Sequence, residues 1–189
     1  KVDLNKVLKE VLNDLEVLIK NNNATIQALP LPVIEANAIQ IHQLFQNIIT
    51  NAIKFRKKNI APQIMISSEI IVGEKNEKPL NINAGLNLPI LNNSTFWQTE
   101  KFCRITIKDN GIGFDESYLE KIFVIFQRLH TKTEYEGTGI GLATCKKIVD
   151  KHHGIITGKS KPGEGSEFII VLPVSQKKFT KNKVLSAEF

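Results

Sequence analysis

The irregular order of helix-like and strand-like segments is the feature that most restricts the fold of this chain. Apolar residues at helical spacing predict three long helices and a short one, at 3–20, 38–57, 138–153 and 117–126. Alternating or β-branched runs predict five strands, at 24–29, 63–72, 102–108, 155–160 and 166–174. Because these segments form no regular strand–helix–strand repeat, the sequence favours an α+β fold over a doubly wound sheet. We expect a two-layer α/β sandwich, with a mixed sheet of about five strands packed on three helices.

Length and composition indicate one compact domain. The chain has 189 residues, of which 42% are hydrophobic and 23% charged, and a single core can form at this size without disulfides or metals. We assign 1–175 to the domain and 176–189 to a basic tail, and we interpret 73–101 as an insertion because it is rich in Asn, Pro and Gly. Cys103 and Cys145 lack metal-site spacing and are predicted to be buried thiols in a reducing compartment.

The charge pattern does not favour a nucleic-acid partner. The formal net charge is +6 and the pI is about 9.3, which suits either a nucleic acid or a polyphosphate ligand. The basic residues are scattered, however, and aromatic residues are not interleaved with them as a base-stacking surface requires. No apolar run approaches the roughly 18 residues of a membrane span, and the chain begins at Lys1 rather than Met. We therefore expect a cytoplasmic piece of a longer protein, without direct membrane contact of its own, and a membrane-anchored parent protein stays open.

Three polar residues share one face of the second predicted helix. Spacings of four and three place Asn47, Asn51 and Lys54 side by side, at the edge of the apolar face. An amide oxygen is a hard, neutral ligand for Mg²⁺, and a lysine ammonium can neutralise phosphate oxygens. A solvated polar edge would show the same pattern, so the helix alone leaves both interpretations open.

Two glycine-containing segments are suited to a nucleotide. Residues 109–114, Asp-Asn-Gly-Ile-Gly-Phe, directly follow a strand, and their carboxylate can accept a hydrogen bond from an exocyclic amine. Residues 137–142, Gly-Thr-Gly-Ile-Gly-Leu, open a helix whose free backbone N–H groups form an anion site. The second segment matches neither the dinucleotide-binding fingerprint nor the P-loop. Taken singly, the first segment fits an ordinary turn equally well, and the second is a weak signal.

A fourth segment completes an ordered series of motifs. Residues 163–168, Gly-Glu-Gly-Ser-Glu-Phe, enter the last strand and alone indicate a hairpin turn. In chain order the motifs are an amide-rich helix, Asp-Asn-Gly-x-Gly, a Phe-rich segment at 123–128, a glycine-rich helix start and Gly-x-Gly-Ser. This order resembles the N, G1, F, G2 and G3 boxes of sensor histidine kinases in the GHKL ATPase superfamily. The likeness covers about 2–174, is especially close to phytochrome-like and hybrid kinases over 122–154, and implies the Bergerat ATP-binding fold.

The resemblance implies ATP and Mg²⁺ as ligands and assigns residues to the adenine. Asp109 would accept a hydrogen bond from the adenine amine, and Ser166 would assist through a water. Gly111 and Gly113 would belong to the same site, where Gly113 would let the base lie close.

The resemblance also assigns residues to the phosphates and the metal. Asn51 would hold Mg²⁺, Asn47 would be a second metal or phosphate contact, and Lys54 would face the phosphates. Residues 127–136 would form a lid over ATP. The lid residues that would reach the γ-phosphate are Arg128, His130 and Lys132. The remaining nucleotide contacts would come from the Phe-rich segment and the glycine-rich helix start, namely Phe126, Gly137, Thr138, Gly139, Ile140, Gly141 and Leu142.

Asn47 separates phosphoryl transfer from hydrolysis. In the hydrolysing members of the superfamily, the residue four positions before the magnesium Asn is a Glu, which acts as general base on the attacking water. An asparagine cannot take up that proton. The resemblance therefore implies γ-phosphoryl transfer to a histidine in two-component signal transduction, for which positioning and charge neutralisation are the main requirements. Asn47, Asn51, Lys54 and Arg128 would supply them.

The accepting histidine is expected on a different domain. None of the four histidines, which are His42, His130, His152 and His153, lies in the sequence context of a phosphoacceptor helix. The expected partners are the helical dimerisation and phosphoacceptor domain of the same kinase and, indirectly, a response-regulator receiver domain. Three alternatives stay open: a GHKL ATPase, an anti-sigma-type protein-serine kinase, and a nucleotide-binding module that only scaffolds partners.

Overall fold

The computed structural model of the protein describes residues 1–72, 101–127 and 139–176. The predicted insertion (except Lys101), most of the predicted lid and the predicted basic tail lie outside these ranges, in 73–100, 128–138 and 177–189. The division into a domain at 1–175 and a tail at 176–189 therefore stays a prediction.

The strands of the described residues form two sheets. They are β1 (Val2–Asp3), β2 (Thr25–Ala28), β3 (Val33–Ile34), β4 (Gln63–Val72), β5 (Lys101–Asp109), β6 (Ile155–Lys161) and β7 (Gly165–Pro173). Five of them make a sheet in the order β2-β4-β5-β7-β6, in which β2 and β4 are parallel and every other pair is antiparallel. The mixed five-stranded sheet confirms the predicted fold class. The sequence did not predict the small antiparallel sheet of β1 and β3.

The helices of the described residues agree with the prediction in position but differ at their ends. They are α1 (Leu4–Asp14), α2 (Glu16–Asn21), α3 (Ala38–Lys54) and α4 (Gly141–Lys151). The first predicted helix is interrupted at Leu15, which separates α1 from α2. The helix predicted at 117–126 is wrong in type, because the chain there forms 3₁₀ turns at Glu116–Tyr118 and Lys121–Phe123, whose N–H groups bond three residues back rather than four.

Helices cover one face of the five-stranded sheet. The main core combines apolar side chains of α1, α3 and α4 with alternate residues of the sheet strands, among them Ile105, Ile107, Phe168 and Ile170. The intervening strand residues, such as Ile169, face the other side of the sheet. This arrangement is the expected two-layer sandwich. Among the described residues, no helix has the length and apolar character needed to cross a membrane.

A buried histidine joins the end of α4 to the start of α3. Asn37 caps α3 by accepting a hydrogen bond from the Gln40 N–H (3.1 Å), and its own N–H donates to His152 Nε2 (3.0 Å). His152 Nδ1 lies 2.8 Å from the Ile148 carbonyl oxygen, which can only accept. The ring is therefore neutral with its proton on Nδ1. This contact fixes the relative position of the two helices that carry the motif residues.

Candidate functional site

Asp109 ends β5 and is 8% exposed. Its Oδ1 accepts hydrogen bonds from the N–H of Gly111 (2.8 Å) and from the N–H of Ser166 (3.2 Å). Its other oxygen, Oδ2, accepts no hydrogen bond from the described residues. The G1 and G3 segments thus hold one oxygen of the carboxylate by backbone groups and fix the direction in which the other points.

The surroundings of Asp109 change its proton affinity. Burial raises the pKa of this carboxyl above its ordinary value, and the hydrogen bonds from Gly111 and Ser166 together with the charge of Lys57 offset part of that rise. The carboxylate is therefore a poorly hydrated acceptor, which favours a ligand that brings its own hydrogen-bond donor. The sequence analysis did not connect Lys57 with this site, because nothing in the local pattern shows which loop the lysine approaches.

One glycine of the G1 segment and one of the G3 segment are required by backbone packing within the protein. Gly113 has φ +64°, and a Cβ there would overlap the carbonyl oxygen of Lys161. Gly165 has φ +102°, and a Cβ there would overlap the carbonyl oxygen of Asp109. That Gly113 lets the base lie close stays a prediction, and in the structure the protein neighbour of Gly113 is the β6–β7 turn. The loop and the turn therefore interlock around Asp109.

The amide face of α3 lies against the start of α4. Asn47 Nδ2 donates to the carbonyl oxygen of Gly141 (3.3 Å). A Cβ on Gly141 would lie 3.9 Å from Asn47 Cγ and 4.0 Å from Asn51 Nδ2. Lys54, one turn further along α3, holds its Nζ 4.6 Å from the centroid of the Phe55 ring. The structure thus brings two of the predicted motifs together, although they are about ninety residues apart.

The start of α4 has the features of an anion site. Ile140 occupies the N-cap position without a side-chain capping bond, and the first turn contains no acidic residue. Within the described residues, the first N–H groups of α4 therefore lack the side-chain acceptor that usually caps a helix. Gly139 precedes the helix with φ +72°, a conformation that a helix cannot continue through, which explains why α4 begins three residues later than predicted. Leu142 is half-buried and packs on the core.

Phe126 connects the F segment to the start of α4. Its N–H donates to the Gly139 carbonyl oxygen (3.2 Å), its φ is +65°, and its side chain is 73% exposed. A non-glycine residue with positive φ is uncommon and marks a backbone held by its surroundings. The position of Phe126 therefore depends on the glycine-rich segment.

A sequence profile of the family described as "Histidine kinase-, DNA gyrase B-, and HSP90-like ATPase" matches residues 36–176, which include each of these elements. The chain belongs to this ATPase family. It is 41% identical over 172 residues to cyanobacterial phytochrome A of Nostoc sp. strain PCC 7120, in an alignment that covers 91% of this chain but 19% of the phytochrome. The chain therefore spans about a fifth of that relative.

Solved structures of histidine kinases have the same fold. The catalytic domain of histidine kinase ThkA, in a nucleotide-free form, superposes with a TM-score of 0.65 at 25% identity, and the match covers 92% of this chain and 94% of that one. Full-length ShkA in complex with AMPPNP superposes with a TM-score of 0.66 at 21% identity, covering 93% of this chain and 31% of that one. The match therefore extends over most of the ThkA catalytic domain.

The family motifs fall partly outside the described residues. The predicted site residues that the structure does not describe are Arg128, His130, Lys132, Gly137 and Thr138. Within the described ranges, the sequence analysis missed Ser160, a buried residue of β6 whose side chain contacts both the G1 and G3 segments. One signal could have found it. Ser160 lies on the same face of β6 as the apolar core residue Ile156, so a polar side chain stands where strand alternation predicts an apolar one.

Proposed function

We propose that the chain binds ATP with Mg²⁺ and transfers the γ-phosphoryl group to a histidine on a separate domain. The acceptor domain is the helical dimerisation and phosphoacceptor domain of the same kinase, and a response-regulator receiver domain takes the phosphoryl group from there. The observation that carries the proposal is a buried carboxylate in the same domain as an uncapped helix start lined by amides. One oxygen of that carboxylate is held, and the other accepts no hydrogen bond from the described residues. These two features suit the two ends of a nucleotide.

Asp109 is the proposed contact for the adenine. Because Oδ1 is occupied by the N–H groups of Gly111 and Ser166, Oδ2 is the oxygen left to accept from the exocyclic amine. A carboxylate that is already desolvated loses little hydration when a flat base covers it, so its hydrogen bond to the amine contributes strongly to binding. Gly111 and Gly113 support the contact by holding the loop against the rest of the domain.

Asn51 and the start of α4 are the proposed contacts for Mg²⁺ and the phosphates. Among the described residues, no cluster of three His, Cys, Asp or Glu side chains could hold a metal, so a bound ion here would depend on amide, phosphate and water oxygens. That ligand set is usual for Mg²⁺. The amide of Asn51, beside the first residue of α4, fits it, and Asn47 would be a second contact. Bound Mg²⁺ would neutralise phosphate charge. The N–H groups of 139–142 would orient the phosphates.

The residues at the phosphate end support transfer rather than hydrolysis. The side chain of Asn47 cannot act as a base, and its Nδ2 is held by the Gly141 carbonyl oxygen. Among the described histidines, His152 uses both ring nitrogens in hydrogen bonds, and His42 Nε2 lies 3.0 Å from Asp14 Oδ2. The third described histidine, His153, is not free either. The engagement of all three supports an acceptor imidazole supplied from outside the domain.

The relatives support the same assignment. ThkA is a histidine kinase, and the structure of ShkA contains the ATP analogue AMPPNP. Arg128, His130 and Lys132 stay proposed contacts of the γ-phosphate, and Phe126, Gly137 and Thr138 stay proposed parts of the nucleotide site. The proposed substrate of the chain is ATP, and its expected indirect partner is a receiver domain. Both are consistent with a cytoplasmic location.

The decisive experiment supplies the missing acceptor. The chain is mixed with [γ-³²P]ATP, Mg²⁺ and the dimerisation domain of its parent protein, and the labelled product is tested for stability in acid. We expect an acid-labile phosphohistidine on the dimerisation domain. The label should be lost with Asn51→Ala but kept with Gln43→Ala, a matched amide change at an exposed position of α3.

Three other outcomes would favour the alternatives. Acid-stable label would indicate a serine kinase. Steady phosphate release by the chain alone, abolished by Asn51→Ala, would indicate an ATPase. Failure to bind an ATP analogue with Mg²⁺ would leave the scaffold alternative.

A further inference from the structure

Ser160 joins three segments around the proposed adenine contact. It lies in β6, is 9% exposed, and its Oγ accepts a hydrogen bond from the Phe114 N–H (2.8 Å). The same Oγ lies 2.9 Å from the Gly165 carbonyl oxygen and 3.1 Å from Ser166 Oγ. Its backbone N–H donates to Glu116 Oε1 (3.2 Å). One hydroxyl thus contacts the loop after β5 and the start of β7.

The hydrogen-bonding partners of Ser160 determine where its proton points. A carbonyl oxygen can only accept, so the 2.9 Å contact with Gly165 requires the Ser160 hydroxyl to donate to it. Since a serine has one hydroxyl proton, the 3.1 Å contact with Ser166 must then use the proton of Ser166. With that proton engaged, the Ser166 oxygen can present only lone pairs to a ligand.

The sheet register places this hydroxyl pair beside Asp109. Ser160 and Ser166 are direct partners in the β6–β7 ladder. Lys108 pairs with Glu167 in the β5–β7 ladder, so Asp109 comes opposite Ser166, and the Ser166 N–H donates to Asp109 Oδ1. By strand parity, all three side chains belong to the helix-covered face of the sheet. Asp109, Ser166 and Ser160 therefore form a row across three adjacent strands.

We propose that Ser160 is a positioning residue that sets purine selectivity by holding the Ser166 hydroxyl as an acceptor. The inference rests on the proposed function, since it takes Asp109 to be the contact of the adenine amine. With the Ser166 proton directed at Ser160, the site presents two acceptors, Asp109 Oδ2 and Ser166 Oγ. A 6-amino group donates to them, directly or through a bridging water. In a 6-oxo purine the group at that position is an acceptor that faces acceptors, and N1–H is the nearest donor.

The test compares ATP with ITP, in which an oxo group replaces the 6-amino group. Dissociation constants are measured by titration calorimetry with Mg²⁺, and the ratio of the ITP to the ATP value reports selectivity. Ser160→Ala should lower this ratio by about fivefold or more, because the released Ser166 proton can donate to the oxo group. In a Ser166→Ala background the same change should have no further effect on the ratio.

A matched control separates selectivity from general weakening of the sheet. Thr157 is also in β6, is 8% exposed and has the opposite strand parity, so Thr157→Val removes a similarly buried hydroxyl away from the site. This variant should keep the wild-type ratio whatever its unfolding midpoint in urea. If Ser160→Ala does not fold, Ser160→Cys, which keeps the shape but forms weak hydrogen bonds, is measured in the same way.

The outcomes distinguish this inference from the proposed function. Two outcomes would overturn the positioning role without affecting the proposal that the chain binds ATP. One is a folded Ser160 variant whose ratio of ITP to ATP dissociation constants equals that of the wild type. The other is a Ser160 substitution that changes this ratio equally with and without Ser166→Ala. Absence of ATP binding by the wild-type chain would instead overturn the proposed function, and the inference with it.

Discussion

Replacing Asp109 with asparagine tests the adenine contact with little change in shape. The introduced amide oxygen can keep the two hydrogen bonds that Oδ1 accepts from the N–H groups of Gly111 and Ser166. The NH₂ group then takes the place of Oδ2, which accepts no bond from the described residues. The folded structure is preserved, but the group that faces the ligand changes from acceptor to donor.

The expected loss of affinity follows from that reversal. A hydrogen bond to a charged group contributes about 1.5–3 kcal/mol, and the variant leaves the adenine amine facing another donor. We therefore expect the dissociation constant for ATP with Mg²⁺ to rise by about 10- to 150-fold. The affinity for ITP should fall much less, because its oxo group can accept from the new NH₂ group.

The same substitution should alter the pH dependence of stability. Burial raises the pKa of Asp109 above its ordinary value of 3.8. Between that value and the higher folded-state pKa, the native protein binds more protons than the unfolded chain, so this carboxyl makes stability fall as pH rises. The variant lacks this contribution. Its free energy of unfolding relative to the wild type should therefore increase through that window and then level off at higher pH.

Two measurements check the prediction, with Asp115→Asn as the control. Titration calorimetry gives the affinities, and urea unfolding at several pH values gives the stabilities. Asp115 lies on an exposed part of the same loop and caps a 3₁₀ turn, so its substitution makes the same charge change away from the proposed contact. An ATP dissociation constant for Asp109→Asn within threefold of the wild type would refute the assignment of Asp109.

Three further perturbations test other parts of the structure. Gly113→Ala should destabilise the protein by more than about 2 kcal/mol, measured by urea unfolding, because the new Cβ overlaps the Lys161 carbonyl oxygen at a positive φ; unchanged stability would contradict that packing. Asn51→Ala should remove most of the Mg²⁺ dependence of ATP-analogue binding in calorimetry, and a retained dependence would place the ion elsewhere. Burial raises the pKa of the Cys103 and Cys145 thiols to about 12, so Ellman's reagent at pH 8 should react only after unfolding.

Local patterns were sufficient for most of the elements. The alternation and β-branched content of 63–72 predicted β4 with both of its ends, since side-chain alternation is a property of the strand itself. The apolar spacing on 38–57 located α3 in the same way. The small sheet of β1 and β3 was missed because two-residue strands are too short to show a period.

The C-terminal end of α3 depended on a distant contact. α3 stops at Lys54 rather than at 57, and the Phe55 carbonyl oxygen accepts a hydrogen bond from the Ile112 N–H (2.9 Å). That partner lies more than fifty residues away, so no pattern within the helix could reveal it. The end of α3 was therefore decided by how the loop after β5 docks on the helix.

The sequence by itself determined the fold class and the identity of the motif residues, including an Asn rather than a Glu at position 47. Those features depend on residue type and local spacing. Only the tertiary structure decided that Gly113 is required by the β6–β7 turn, that one oxygen of Asp109 accepts two backbone hydrogen bonds while the other accepts none from the described residues, and that the Ser160 hydroxyl contacts both Gly165 and Ser166. These features arise from strand register and from hydrogen bonds between segments far apart in the chain, which leave no periodic signal in the sequence.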